Sequence, residues 1–206
     1  MRRSIAAVAT LVTFASVHPA SAQSLTELRK LYDAGQYQQA IAAAGAAQAS
    51  EEEQPRITYL VGQSHQKLSR RDEARQAYGQ LAARAESDPW RDVGRSAVAL
   101  LGSDGGAAAD AAAQAVAHGD SLAEAHFQRG LALSVRQDMA GAAAAFEKAT
   151  QLDPAWADAH YYAGLAYSKV KRIDQTAAHF DRFLKLAPQS PARPEVQSIM
   201  RTLSGK

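Results

Sequence analysis

Residues 123–156 read AEAHFQRGLALSVRQDMAGAAAAFEKATQLDPAW, and residues 157–190 read ADAHYYAGLAYSKVKRIDQTAAHFDRFLKLAPQS. Placed one above the other, these two stretches of 34 residues match at many positions: Ala-Glu-Ala-His126 with Ala-Asp-Ala-His160, Gly130 with Gly164, Phe146 with Phe180, Leu152 with Leu186 and Pro154 with Pro188. A fixed period of this size is typical of a protein built from stacked structural units. The sequence therefore predicts a repeat architecture.

The same period continues toward the N-terminus. Without a gap, it divides the preceding chain into blocks 89–122, 55–88 and 21–54, of which we assign residues 23–54 to the array. One column of small residues reads Ala40, Ala74, Ala108, Ala142 and Thr176, and an aromatic column reads Ala44, Tyr78, Ala112, Phe146 and Phe180. Five blocks in one register predict a continuous array over residues 23–190.

Each block predicts two amphipathic helices. In residues 157–190, apolar residues recur at helical spacing from Ala159 to Val170 and again from Ile173 to Leu186, with Lys171 and Arg172 between the two runs. Isolated helices of about a dozen residues are marginal in water, so the helix pairs must stack to bury their apolar sides. The fold class predicted is an all-α solenoid of about five helix pairs.

Two Asp-Pro pairs lie at block boundaries. Aspartate is a favoured N-cap residue, and proline is favoured at the first position of a helix. We therefore expect Asp88-Pro89 and Asp153-Pro154 each to begin a helix.

A further helix follows the last block. Val196, Ile199, Met200 and Leu203 form an apolar stripe at helical spacing. A terminal repeat exposes an apolar side that needs a cover, so we predict that residues 191–206 form a capping helix on the array.

These blocks resemble the tetratricopeptide repeat family, whose members stack antiparallel helix pairs into a right-handed superhelix. The resemblance covers residues 21–190, and no block has tryptophan in the family's Trp column, where Asp92, His126 and His160 stand. Thr176 also replaces the usual alanine. The family pattern is best kept by Gly130, Leu133, Ala142, Phe146, Ala149, Pro154, Gly164, Tyr167, Phe180 and Pro188.

The first 22 residues have the features of a secretory signal peptide. Arg2 and Arg3 precede a mostly apolar run from Ile5 to Val17, and Ala20-Ser21-Ala22 forms a small-x-small cleavage site. A helix of that length covers only about 20 Å of a ~30 Å hydrocarbon core, too little for an anchor. We therefore expect residues 1–22 to be removed after Ala22 and the mature chain to be exported, to a bacterial periplasm, without an integral membrane anchor.

Composition and motifs exclude several functional classes. The chain contains no cysteine, which removes disulfides and thiolate chemistry, and its net charge of +2 is too small to indicate nucleic-acid binding. The glycine-rich loop 102–106 lacks the Gly-Lys-Ser/Thr of a phosphate loop. His126 and His160 share one column but lack the spacing of metal-ligand motifs. We predict no catalytic residue, no cofactor and no metal.

The resemblance implies that the first helix of each pair lines a concave groove. Lysine and asparagine residues that clamp a terminal carboxylate in some relatives are replaced here by aromatic residues and leucine. An apolar strip suits a partner helix or an extended peptide, although residues in such columns can instead be packing residues shared between blocks. The candidate partner-binding residues are Tyr59, Gln63, Val93, Phe127, Gln128, Leu131, Tyr161, Tyr162 and Leu165.

Three functions fit this pattern. The first is an exported, non-catalytic scaffold that binds a protein or peptide of the cell envelope in its groove. The second is a homo-oligomeric structural module, and the third is an accessory subunit of an envelope enzyme. The sequence contains no feature that identifies the partner.

Overall fold

The computed structural model describes residues 20–203, with side chains from residue 25 onward. This part of the chain contains eleven α-helices and no strand. The helices are α1 (Ala20–Asp33), α2 (Tyr37–Ala46), α3 (Gln54–Lys67), α4 (Arg71–Ala82), α5 (Pro89–Leu101), α6 (Gly105–His118), α7 (Ala123–Val135), α8 (Met139–Leu152), α9 (Ala157–Lys169), α10 (Ile173–Leu186) and α11 (Arg193–Leu203).

Consecutive helices pack against each other along the chain, so α1 to α10 form five helix pairs and α11 follows them. We number the pairs one to five from the N-terminus. The predicted all-α solenoid of five helix pairs with a terminal helix is confirmed. A long central core runs through pairs two to five, and a separate cluster around Leu28 and Tyr32 fills pair one.

Glycine and an aromatic ring pack against each other inside most pairs. A Cβ atom on Gly130 would lie 2.5 Å from Phe146, and one on Gly164 would lie 2.5 Å from Phe180. Pair three has Ser96 in the glycine column and Ala112 in the aromatic column. The Ser96 hydroxyl fills this space and donates to the carbonyl of Ala108 at 3.0 Å.

The two Asp-Pro pairs differ in their roles. Asp88 caps α5 as predicted, accepting from the Trp90 amide at 2.9 Å with Pro89 at the first helical position. The prediction for Asp153 was wrong, because α9 begins only at Ala157 and its N-cap residue is Trp156. Asp153 instead ends α8 and forms an ion pair with Arg29 of α1 at 2.7 Å. Its other carboxylate oxygen accepts from the Ala155 amide at 3.2 Å, in a turn that ends before α9 begins.

Helix α11 covers the end of the array. Val196 is fully buried and belongs to one cluster with Phe180 and Phe183 of α10. Ile199 and Met200 are partly buried against the same cluster. The predicted apolar stripe thus packs on the last helix pair, which is the arrangement expected of a cap.

The predicted signal peptide falls mainly on residues 1–19, which lie outside the described residues. The backbone of Ala20, Ser21 and Ala22 forms the start of α1. Within residues 20–203, no helix combines the length and the apolar character needed to cross a membrane.

Candidate functional site

The first helices of pairs two and four contact each other across the inner face, which is the side where the first helices of the pairs meet. Arg56 of α3 forms a two-point ion pair with Glu124 of α7, with its Nε 2.6 Å from Oε1 and its Nη2 3.3 Å from Oε2. One turn further along, the Gln128 amide donates to the Tyr59 hydroxyl at 2.8 Å. We call Arg56, Tyr59, Glu124 and Gln128 the inner bridge. It shows that the array curls tightly enough for alternate pairs to touch.

The charges of the inner bridge are balanced. Glu124 is only 1% exposed, so its carboxylate has lost water and depends on the guanidinium of Arg56. Burial acts to lower the pKa of Arg56, but the Glu124 carboxylate outweighs burial and raises it. The ion pair fixes the distance between α3 and α7.

Aromatic rings pack beside the inner bridge. The ring centroids of Phe127 and Trp156 are 4.5 Å apart, and those of Tyr59 and Trp156 are 6.3 Å apart. Tyr59 and Phe127 are 2% and 1% exposed. Both rings are therefore packing residues of the core, which is the alternative that the sequence had left open for them.

A pocket of about 410 Å³, which we call the central pocket, opens beside this aromatic cluster. Tyr59, Phe127 and Gln128 form its buried floor, because they line it yet are almost entirely inaccessible. Half-buried Leu131 and Tyr162 line it with a larger exposed fraction. The pocket brings together six of the candidate partner-binding residues: Tyr59, Gln63, Phe127, Gln128, Leu131 and Tyr162.

The other three candidates lie elsewhere. Val93 is fully buried in the core and presents no surface to a partner. Leu165 is partly buried against the cluster around Phe180. Tyr161 lines a second pocket, described below.

Sequence reasoning missed one column of pocket residues. Tyr32, Gln66, Leu100 and Ser134 all line the central pocket and occupy one position of the repeat. This position lies three residues beyond the column that contains Gln63 and Leu131. Extending that column by one helical turn would have found these residues, since positions i and i+3 lie on one side of a helix.

The two ends of the array meet beside the central pocket. Gly35, in the α1–α2 turn, has a φ of +76° and packs so closely on Pro191 that a Cβ would lie 2.6 Å from its Cγ. Between α1–α2 and α9–α11 lies a pocket of about 300 Å³, which we call the seam pocket. Its polar and aromatic lining comprises Tyr32, Asp33, Tyr37, Lys67, Asp158, Tyr161, Tyr162, Phe183 and Ser190.

The seam pocket contains acidic and basic side chains that lie close to one another. The Tyr32 hydroxyl donates to Asp158 at 2.7 Å, and the Lys67 ammonium lies 3.6 Å from the same carboxylate. Burial acts to lower the pKa of Lys67, but Asp158 outweighs burial and raises it. Burial and the charge of Asp158 raise the pKa of Asp33 to about 7, against the opposing effect of Arg29. Asp33 is thus poorly neutralised by its surroundings.

His126 and His160, which share one column of the repeat, each contact other groups. Nε2 of His126 lies 2.8 Å from the Asp120 carbonyl. His160 contacts His179 with their Nδ1 atoms 3.1 Å apart, and His179 in turn contacts Glu147 at 3.0 Å. Burial lowers the pKa of His160 to about 4, so it is neutral at pH 7. Among the described residues, no cluster of three or more histidine or acidic side chains could hold a metal ion.

Comparison with known proteins identifies the repeats. Residues 25–89 and residues 123–156 each match a family model described as tetratricopeptide repeat. These two segments carry tetratricopeptide repeats. No curated protein matches it.

Solved tetratricopeptide proteins share this architecture. The thermophilic protein TTC0263 from Thermus thermophilus is 19% identical, with a TM-score of 0.61 over 91% of this chain and 100% of that chain. The TPR2AB domain of yeast Sti1, in complex with pHSP90, is 15% identical, with a TM-score of 0.52 over 91% and 86%. The first repeat domain of Spaghetti (RPAP3), bound to the HSP90 peptide SRMEEVD, is 15% identical, with a TM-score of 0.52 over 59% and 97%. At these identities the likeness shows the fold alone.

Proposed function

We propose that this tetratricopeptide chain is a non-catalytic scaffold that binds an extended segment of a partner protein in the central pocket. The pocket's size and mixed lining carry the proposal. Apolar Leu131, aromatic Tyr162 and the amides of Gln63 and Gln66 surround about 410 Å³. Binding sites commonly combine apolar walls with a few polar groups that fix orientation.

Proteins of the same fold support a binding role. The Spaghetti domain holds the peptide SRMEEVD, and the Sti1 domain was solved with pHSP90. In the present chain Arg29, Arg56 and Lys67 of the inner face each pair with a carboxylate. An acidic peptide would have to compete with these internal pairs. We therefore propose a partner segment other than an acidic C-terminus.

The site of action belongs to the same proposal. The positive, apolar and small-residue sequence of residues 1–22 supports export and cleavage after Ala22. We propose that the mature scaffold works in the periplasm on a protein of the cell envelope, which includes the case of an envelope enzyme that it assists. The described part of the chain exposes two large hydrophobic side chains, Val135 and Ile173, which favours this scaffold over a homo-oligomeric module.

A capture experiment tests the proposal. The full chain is expressed in a bacterial host, recovered from the periplasm with the mass of residues 23–206, and used as bait in envelope extract. Val135 lines the central pocket and is 51% exposed, whereas Ile173, at the start of α10, is 54% exposed. We expect Val135→Gln to reduce partner capture several-fold and Ile173→Gln to leave it unchanged.

Three results would contradict it. Equal capture by both variants would place the partner away from the central pocket. A protein that keeps residues 1–22, or that stays in the cytoplasm, would remove the export proposal. A concentration-dependent dimer in light scattering would favour the homo-oligomeric module.

A further inference from the structure

The seam pocket contains an excess of negative charge. Asp33 and Asp158 line the pocket with one base, Lys67, and the neighbouring Arg29 and Asp153 neutralise each other. Arg29 pairs with Asp153 at 2.7 Å, and Lys67 lies 3.6 Å from Asp158. Among the described residues, no base lies within ion-pair distance of the Asp33 carboxylate. The seam therefore lacks one positive charge, and the missing charge belongs beside Asp33.

Tyrosine rings surround this position. Tyr37, Tyr161 and Tyr162 line the same pocket of about 300 Å³ as Asp33. A cation is attracted to the face of an aromatic ring, most strongly where water is excluded. The seam pocket thus combines a carboxylate with aromatic walls, and it has room for a side chain.

The protein already holds one cation in this manner. The Lys67 ammonium lies 5.9 Å from the ring centroid of Tyr32 and 3.6 Å from Asp158. Asp33 and Tyr37 line the same pocket and repeat this combination of carboxylate and ring. The contacts of Lys67 with Asp158 and Tyr32 therefore indicate that a cationic group suits the position beside Asp33 and Tyr37.

We propose that the seam pocket binds a lysine or arginine side chain of the partner segment, with its cationic group between Asp33 and the tyrosine rings. This inference rests on the proposed function, because the seam pocket shares Tyr32, Lys67, Asp158 and Tyr162 with the central pocket. The two pockets are therefore adjacent, and these four residues form the boundary that they share. The seam pocket would then select the charge of the partner, and the central pocket would bind its apolar residues.

Binding of a cation at Asp33 depends on pH. The groups that face Asp33 are Arg29 of α1, Tyr37 of α2, Lys67 of α3, Asp153 after α8 and Asp158 of α9, and Lys30 of α1 lines a neighbouring pocket with it. The combined effect of Arg29, Lys67, Asp153 and Asp158, together with burial, brings the pKa of Asp33 to about 7. Below this pH the carboxyl must lose a proton before it can pair with a cation. The affinity for a cation should therefore fall about tenfold from pH 8 to pH 6.

The test uses two blocked peptides that differ in one charge, acetyl-Ala-Lys-Ala-amide and acetyl-Ala-norleucine-Ala-amide. Each is titrated into the full chain at pH 8 and pH 6, and binding is followed by NMR through the Asp33 carboxyl carbon and the Gly35 amide. We expect the lysine peptide to bind at least tenfold more tightly than the norleucine peptide at pH 8. This advantage should largely disappear at pH 6.

Variants locate the effect. Asp33→Asn should abolish the preference for lysine, and Asp110→Asn, which changes an exposed carboxylate on α6, should keep it. Tyr37→Leu removes a ring without changing the charge and should weaken lysine binding about threefold. Thermal melts of each variant verify that it is folded.

The outcomes separate this inference from the proposed function. Equal affinity for the two peptides, or a lysine preference that survives Asp33→Asn, overturns the cation site and leaves the central pocket as the binding surface. Absence of binding by both peptides also overturns the cation site. In each case the proposed function is decided independently by partner capture with Val135→Gln.

Discussion

The inner bridge and the seam pocket both join first helices of distant pairs, yet they differ in how their charges are matched. In the inner bridge one buried carboxylate, Glu124, meets one guanidinium, Arg56, through two hydrogen bonds. In the seam pocket two carboxylates, Asp33 and Asp158, share one base, Lys67, and among the described residues no base lies within ion-pair distance of Asp33. The inner bridge has completed its interactions, whereas the seam pocket has not.

This difference teaches where a repeat array can bind. Contacts that satisfy every buried group hold the curvature of the solenoid but leave nothing for a ligand. A pocket with an unneutralised charge gains free energy when a complementary group enters. We therefore expect substitutions in the inner bridge to act mainly on stability and substitutions in the seam pocket to act mainly on binding.

The largest effect on stability is expected from truncating Phe127, which packs beside the inner bridge, and it is compared with truncating Tyr161 in the seam pocket. Phe127 is 1% exposed and packs on Phe146, Trp156 and Tyr162. Phe127→Ala should lower the free energy of unfolding by about 3–5 kcal/mol, as for other buried rings. Tyr161 is half-buried, so Tyr161→Ala should cost less than half as much. Urea unfolding of both variants at pH 7 measures the two values.

Affinity should show the opposite order. Tyr161→Ala should weaken binding of the captured partner or of the lysine peptide more than a stability-matched core variant does. Equal stability losses in the two variants would mean that the seam is packed as completely as the inner bridge. The contrast between the two regions would then fail.

A smaller loss of stability is expected when the balance of the inner bridge is removed. Glu124→Gln leaves the Arg56 guanidinium facing an uncharged amide in a largely dry place. We expect a loss of about 2–3 kcal/mol, below the cost of a fully buried unpaired charge because the Arg56 side chain is 38% exposed. Chemical unfolding measures it against Glu86→Gln, which changes an exposed residue between α4 and α5.

An unchanged stability in Glu124→Gln would show that the inner bridge does not hold the array closed. A change in peptide affinity without a change in stability would mean that Glu124 acts in binding and not in holding the inner bridge together. Either result would mean that the inner bridge does not act mainly on stability.

Much of the fold could be predicted because each helix pair repeats the same spacing of small, aromatic and apolar residues. The columns of small and aromatic residues identified five pairs, and the stripe from Val196 to Leu203 identified the cap. Pair three even shows matched changes, since Ser96 and Ala112 replace glycine and an aromatic residue together. The prediction for Asp153 failed because its contact with the Ala155 amide closes only a turn, and α9 begins later, at Ala157.

The site was less predictable because it depends on curvature. A small rotation per repeat accumulates along a solenoid, and this sum decides whether alternate pairs meet. Arg56 and Glu124 occupy the same column two repeats apart, and their opposite charges were a usable signal of contact. Asp33 and Lys67 likewise occupy one column with opposite charges, one repeat apart, but Arg29, Asp153 and Asp158 also shape the environment of Asp33 and come from other columns.

The smallest effect concerns the dependence of stability on pH, which should differ between wild type and Asp33→Asn. In the folded chain the pKa of Asp33 is raised from 3.8 to about 7, so the folded state retains a proton that the unfolded chain releases in this range. The stability contributed by the protonated carboxyl is complete below about pH 4, declines as the pH rises, and is lost above about pH 7.

Asp33→Asn removes this titration. We expect the variant to match wild type near pH 4 and to be more stable than wild type by about 1–2 kcal/mol at pH 8, a value reduced because the seam pocket is partly open to solvent. His160, whose pKa is lowered to about 4, acts in the opposite direction by destabilising the folded chain as the pH falls below 6.5. Because His160 is present in both proteins, the difference between their unfolding free energies isolates Asp33. A difference that stays constant from pH 4 to pH 8 would mean that Asp33 is ordinarily ionised and that the seam is not short of a cation.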